Sequence, residues 1–188
     1  NKYIHRAKIA IFTGMNYLAH AFLSGNNHDL LVGNFIADHL RGNRFTNFSP
    51  AIIEGIYHHR RIDTFTDAHP AFKASKRQFY DGFERYSGIL IDIYFDYFLA
   101  RDFEEHSMIP LNQFSEEVYT VYQQSRELLP QSSSRFLDYV IKNNIYSAYS
   151  TLPGIEQVLT HLSHRISHGV RLQDSLATFR QNETELQA

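Results

Sequence analysis

The chain contains no cysteine and no tryptophan. The first absence excludes disulfides, thiolate zinc sites and cysteine nucleophiles. It also suits a reducing compartment, and a cytoplasmic location is expected. Long apolar runs are missing as well: Ile9 to Phe12 is typical, far below the roughly 20 residues of a membrane-spanning helix, so no membrane partner is expected. There is no basic excess either. The 18 Lys and Arg against 20 Asp and Glu give a net charge of −2, which argues against a nucleic-acid partner. Finally, no glutamate has a histidine three residues on, so a carboxylate-bridged di-iron bundle built on that pair is excluded.

What remains is rich in histidine, with 11, and in aromatic residues, at 14%. At 188 residues the chain is long enough to bury one sizeable core without covalent staples. Helical spacing of apolar residues dominates and sustained alternation is absent, which predicts an all-α, single-domain multi-helix bundle. Residues 1–14 are expected to be a leader extension ahead of Met15, and 15–188 the domain itself. Ser49 followed by Pro50 marks a helix start, and helical runs are predicted over 70–83, 87–106, 110–130, 132–150, 152–168 and 172–186. Two shorter helices separated near "SGNNHD" are predicted within 15–42.

The stretch "HHRRIDTFTD", residues 58–67, carries two histidines, two arginines and two aspartates on the helix begun by Ser49. With Ile52 as the inward reference, Ile56, His59, Asp63, Thr66 and Asp67 fall within about 60° of it, while Arg61 lies opposite and Arg60 flanks the stripe. The apolar face thus becomes a His/Asp face without changing direction. Unpaired buried carboxylates are costly, so this stripe needs a cation or a partner. On the helix of 87–106, Asp96 clusters with Ile89 and Ile93, and Asp92 stands at the edge of that group. Either these two bind the same cation, or they pair with Arg60 or Arg101 or cap a neighbouring helix.

Two further inward candidates precede them. His20 in "YLAHAFL" is a ligand or a hydrogen-bonded core residue, and Asp38 in "VGNFIADHLRGN" is a ligand or a salt-bridge partner of Arg41 or Arg44. Mixed histidine and carboxylate donors suit manganese, magnesium or iron better than copper. Such a divalent cation would offset the carboxylate repulsion and activate water. Two other histidine motifs are set aside. His28-Asp29 reads as a helix start, and His161, His164 and His168 point away from the apolar stripe of their helix.

The blocks "MNYLAHAFLSG", "VGNFIADHLRGN", "HHRRIDTFTD" and "DIYFDYFLARDF" resemble, in order, those of bacterial acyl carrier protein phosphodiesterases, a family similar to the HD-type metal phosphohydrolases. The resemblance runs from Met15 to about Arg101. It implies an HD-like bundle that converts holo acyl carrier protein to the apo form, releasing 4′-phosphopantetheine, with manganese as cofactor. Residue by residue, it implies Asp38, His59, Asp63 and Asp96 as metal ligands and His20 as a ligand or a partner of one. Asp67 or Asp92 would orient water or act as general base, and Arg60 would stabilise developing charge. An acidic carrier protein would dock on Arg41, Arg44, Arg61, Lys73, Lys76 and Arg77. One departure stands out: His59 is followed by Arg60, with Asp63 four residues on, where a true HD motif has adjacent His and Asp. An HD-like phosphohydrolase of nucleotides or other small phosphoesters, and a non-enzymatic helical metal-binding scaffold, are the competing readings.

Overall fold

A computed structural model describes residues 16–40, 42, 45, 47–166 and 169–187. Residues 1–14, Arg41, Arg44 and His168, each the subject of an expectation above, lie outside it. Among the described residues every regular element is a helix. The longer ones are α1 (Tyr17–Leu23), α2 (His28–Ile36), α3 (Pro50–Ala68), α4 (Pro70–Arg77), α5 (Ser87–Arg101), α6 (Leu111–Gln124), α7 (Gln131–Lys142), α8 (Leu152–Arg165) and α9 (Ser175–Gln187). A 3₁₀ turn, Ala37–His39, continues α2.

The ends follow from local chemistry. Ser49 accepts the Ile52 N–H at 3.3 Å and Pro50 opens α3, while Asn27 accepts the Leu30 N–H at 3.0 Å ahead of His28. The predicted run over 70–83 divides instead. Asp81 and Gly82 leave helical geometry, Gly82 at φ +79°, and the turn before them buries Phe79 completely against Tyr94, ring centroids 5.3 Å apart. Burial of a large ring outweighs one more turn of helix there.

The central helix is α5, whose Leu90, Ile91, Ile93, Tyr94, Asp96, Tyr97 and Ala100 are buried. Its Asp96, expected as a metal ligand, is engaged by the backbone of α1. The carboxylate accepts the N–H groups of Leu18 and Ala19, both at 2.9 Å, and so caps α1, for which Asn16 supplies no side-chain cap. Burial pushes the Asp96 carboxyl pKa up, against the lowering effect of those two bonds. The first turn of a helix leaves its N–H groups without backbone partners, and a carboxylate there answers both the bonding and the dipole. Asp96 therefore fixes where α1, and with it His20, sits.

Helices α2 and α3 cross with their backbones in contact. A Cβ on Gly33 would stand 2.1 Å from the Ile52 carbonyl oxygen, and one on Gly55 would stand 2.4 Å from that of Leu30. Only glycine permits this approach, and it brings Asn34 of α2 against His59, one turn beyond Gly55.

Candidate metal centre

His20, His59 and Asp63 converge from α1 and α3, each offering a donor atom such that all lie within 4.8 Å of one another. The imidazoles of His20 and His59 stack, centroids 4.1 Å apart. Asp63 spans both: Oδ1 lies 3.1 Å from His20 Nε2, and Oδ2 lies 3.2 Å from His59 Nε2. Asp38, on the 3₁₀ turn, accepts from His59 Nε2 at 3.1 Å. Both histidines and Asp38 are buried, whereas the Asp63 side chain is 37% exposed and marks the open side.

Two observations fit a cation. Both ring nitrogens of His20 are buried; Nδ1 has no hydrogen-bond partner, and Nε2 faces the Asp63 carboxylate at 3.1 Å. Buried polar atoms are normally satisfied, and an imidazole nitrogen facing a carboxylate in a buried cluster is available to a cation. Second, His59 is held from behind. Its Nδ1 faces Asn34 Oδ1 at 2.8 Å, and the amide is oriented because its Nδ2 donates to the His20 carbonyl and to Ser24 Oγ, both at 2.9 Å. Asn34 thus fixes the ring so that Nε2 faces the cluster. Sequence reasoning missed it; the signal was its place four residues before Asp38 in "VGNFIAD". Asn34→Ala is expected to weaken divalent-metal binding about 10- to 100-fold, read by titration calorimetry. Wild-type affinity would show that Asn34 does not orient the ring.

Charge points the same way. Burial alone would lower the His59 pKa, but hydrogen bonds to Asp38 and Asp63 raise it to about 10. Burial alone would raise Asp63, but the His20 and His59 imidazoles hold it well below the usual carboxylate range. With metal stripped, His59 therefore gains its partners in the protonated form. A raised histidine pKa contributes stability that is full below the unfolded value, near 6.5, and is lost as pH rises through the folded value. Chelator-treated protein is expected to unfold at lower urea as pH is raised from 6 to 10. A flat profile would contradict the pairing.

The remaining candidates lie apart from the three-residue group. Asp67 is exposed, against the inward expectation: the last turn of α3 outruns its packing partners, and Thr64, Phe65, Asp67 and Ala68 are all exposed. Asp92 is half-buried on α5, one turn before Asp96. Arg60 donates to the Gly42 carbonyl at 2.7 Å and lies over the Phe45 ring at 5.0 Å, packing against the loop before α3. Arg61 pairs with Glu54 at 2.6 Å on the surface. Lys73 donates to the Ala68 carbonyl, Lys76 lies over Phe72, and Arg77 is exposed at the end of α4. His161 and His164 are exposed, as predicted, with His161 stacked on Tyr139.

The family model described as acyl carrier protein phosphodiesterase matches residues 15–188, so the likeness continues well past the last of the sequence blocks, which ends at Phe103. Proteins named acyl carrier protein phosphodiesterase from Salmonella agona (strain SL483), Salmonella newport (strain SL254) and Salmonella enteritidis PT4 are each 34% identical over 165 residues, 86% of this chain and 84% of theirs. No solved structure matches the chain.

Proposed function

The chain belongs to the acyl carrier protein phosphodiesterase family, and from that premise we propose that it hydrolyses the phosphodiester of holo acyl carrier protein, leaving the apo protein and 4′-phosphopantetheine. The observation that carries the reading is the convergence of His20, His59 and Asp63 on one point, with His20 Nδ1 buried without a partner and Nε2 facing the Asp63 carboxylate at 3.1 Å. His20, His59 and Asp63 would hold a divalent cation, with Asp38 beside His59 as a further oxygen donor. Manganese is the proposed ion, with magnesium or iron(II) as substitutes. When bound, it supplies Lewis acidity at the phosphoryl oxygens and a lowered pKa for water.

The chain's own residues do the rest. Asn34 and Asp38 orient His59, and the exposed edge of Asp63 leaves the cluster reachable from solvent. Asp67, one helical turn beyond Asp63 and free of burial, is better placed than Asp92 to accept a proton from the attacking water. Arg60 we assign to holding the loop at Gly42 rather than to charge stabilisation. Arg61, Lys73, Lys76 and Arg77 offer a basic face to an acidic carrier protein. The Arg61–Glu54 pair is exposed and so costs little to exchange. The cytoplasm is the location we propose for this reaction.

The test compares holo carrier protein with a panel of nucleotides and small phosphoesters, at several salt concentrations. Cleavage of the carrier alone, weakening as salt screens the basic face, is expected. Turnover of free phosphoesters with none of the carrier would replace this reading with that of a small-molecule phosphohydrolase.

A further inference from the structure

We propose that Phe65, with Tyr57, is the apolar anchor on which the carrier protein docks, in an open cleft flanked by Arg60 and Arg61 on the outer side of α3; this rests on the phosphodiesterase reading above. The occupant is an apolar side chain of the carrier with carboxylates on either side of it. Spacing builds the cleft. Tyr57, Arg61 and Phe65 follow one another at four-residue steps and share one stripe of α3. Together with Arg60 and Thr64 they line an open cleft of about 360 Å³. One wall is held in place by its own packing. The buried Phe45 ring meets Tyr57 edge-on at 5.6 Å, and the Arg60 guanidinium lies over both rings, at 5.0 and 6.0 Å. Phe65 has less cover. It is 71% exposed, tilts against the His69 ring at 5.9 Å, and stands where α3 outruns its packing partners. A single exposed ring needs no explanation, but two on one stripe, beside two guanidiniums, match the aromatic and arginine side chains that anchor protein interfaces.

Charge selects the partner. Among the described residues no carboxylate lines the cleft, and Glu54, paired with Arg61, is itself exposed and so exchanges at little cost. An acidic partner therefore finds two cations beside an apolar seat. Rim charges chiefly steer the encounter, whereas a ring that loses its water on docking sets how long the complex lasts. The cleft also lies within reach of the chemistry. Thr64 directly follows Asp63, whose accessible edge opens the cluster. A helix is about 10–12 Å across, and a typical interface of roughly 800 Å² per partner spans more than that, so one carrier covers both the cleft and the edge at Asp63.

Phe65→Ala in the full chain, with manganese, is the test. KM and kcat are read for holo carrier, together with the inhibition constant of apo carrier, which lacks the arm. KM and the apo-carrier constant should both rise at least about tenfold while kcat holds, as for the loss of an interface anchor. The loss should persist at high salt, which screens the arginines but not the ring. The unfolding midpoint should not move, because so exposed a side chain leaves no cavity. Met108→Ala removes another fully exposed apolar side chain, from the connection before α6, and should leave both constants unchanged. An unchanged KM in Phe65→Ala, or an equal loss in Met108→Ala, overturns the docking assignment while the function stands. A raised KM with an unchanged apo-carrier constant overturns it too, by placing Phe65 against the arm. So does a wild-type dimer that Phe65→Ala dissociates without changing KM, which would give the cleft to a second copy of the chain. Absence of carrier cleavage by the wild type would overturn the function on which the assignment rests, and with it the assignment.

Discussion

Asp63→Ala is expected to lower turnover of holo acyl carrier protein by more than about a hundredfold, beyond the roughly 10- to 100-fold typical of losing a residue that only supports a ligand. Among the described residues, Asp63 is the one carboxylate paired with both imidazoles, 3.1 Å from His20 and 3.2 Å from His59. Without it two stacked histidines face one another with no anion between them, and a cation would lose a charged oxygen at the open side of the site. The fold should tolerate the change. The side chain is 37% exposed, so its removal leaves no sealed cavity in the core. Two readouts separate the effects: kcat/KM with manganese, and metal affinity by calorimetry. Both should fall, and the metal-free variant should still unfold cooperatively, at a midpoint lowered by no more than the lost pairing with His59 and His20. Near-normal turnover in Asp63→Ala would remove Asp63 from the centre.

Gly33→Ala is the second large effect, and it acts on the scaffold. The added methyl would meet the Ile52 carbonyl oxygen at 2.1 Å and the Gly55 Cα at 2.8 Å, both backbone atoms that cannot rotate away. Helices α2 and α3 must then separate, at a cost of about 3 kcal/mol or more. For a chain of this length that lowers Tm by roughly 6–12 °C. Separation also draws Asn34 away from His59, so metal affinity should fall together with stability. Gly88→Ala provides the control, because a Cβ there meets only the flexible end of Lys76 at 3.8 Å. If Gly33→Ala melts with the control, the close crossing is not what sets the geometry of the site.

Much of the centre was legible in the sequence because one helix carries half of it. Ile52, Ile56, His59 and Asp63 lie on a single stripe of α3, and angular sorting around the helix axis finds that stripe without knowledge of any neighbour. The same sorting cannot tell where a helix outruns its cover. Asp67 shares the stripe, yet it is exposed because the last turn of α3 lacks packing partners. Nor can it tell what an inward carboxylate meets. Asp96 does face inward, as its spacing with Ile93 indicates, but what awaits it is the N-terminus of α1. The placement of α1 over α3, which makes His20 and His59 neighbours, depends on that long-range cap and on the glycine crossing. Neither leaves a periodic trace. Asn34 was hidden for a related reason: it lies on an apolar helix, and its role exists only once His59 has been brought beside it.

The most direct test of the central claim is intact-mass analysis of holo acyl carrier protein after incubation with the full chain. Wild type with manganese, wild type with excess chelator, and Asp63→Ala with manganese are run side by side. The account predicts loss of the phosphopantetheine arm in the first reaction and its retention in the other two. Retention of the arm with manganese, magnesium and iron(II) alike, or its loss in the chelator and Asp63→Ala reactions as well, would contradict a metal-dependent phosphodiesterase centred on His20, His59 and Asp63.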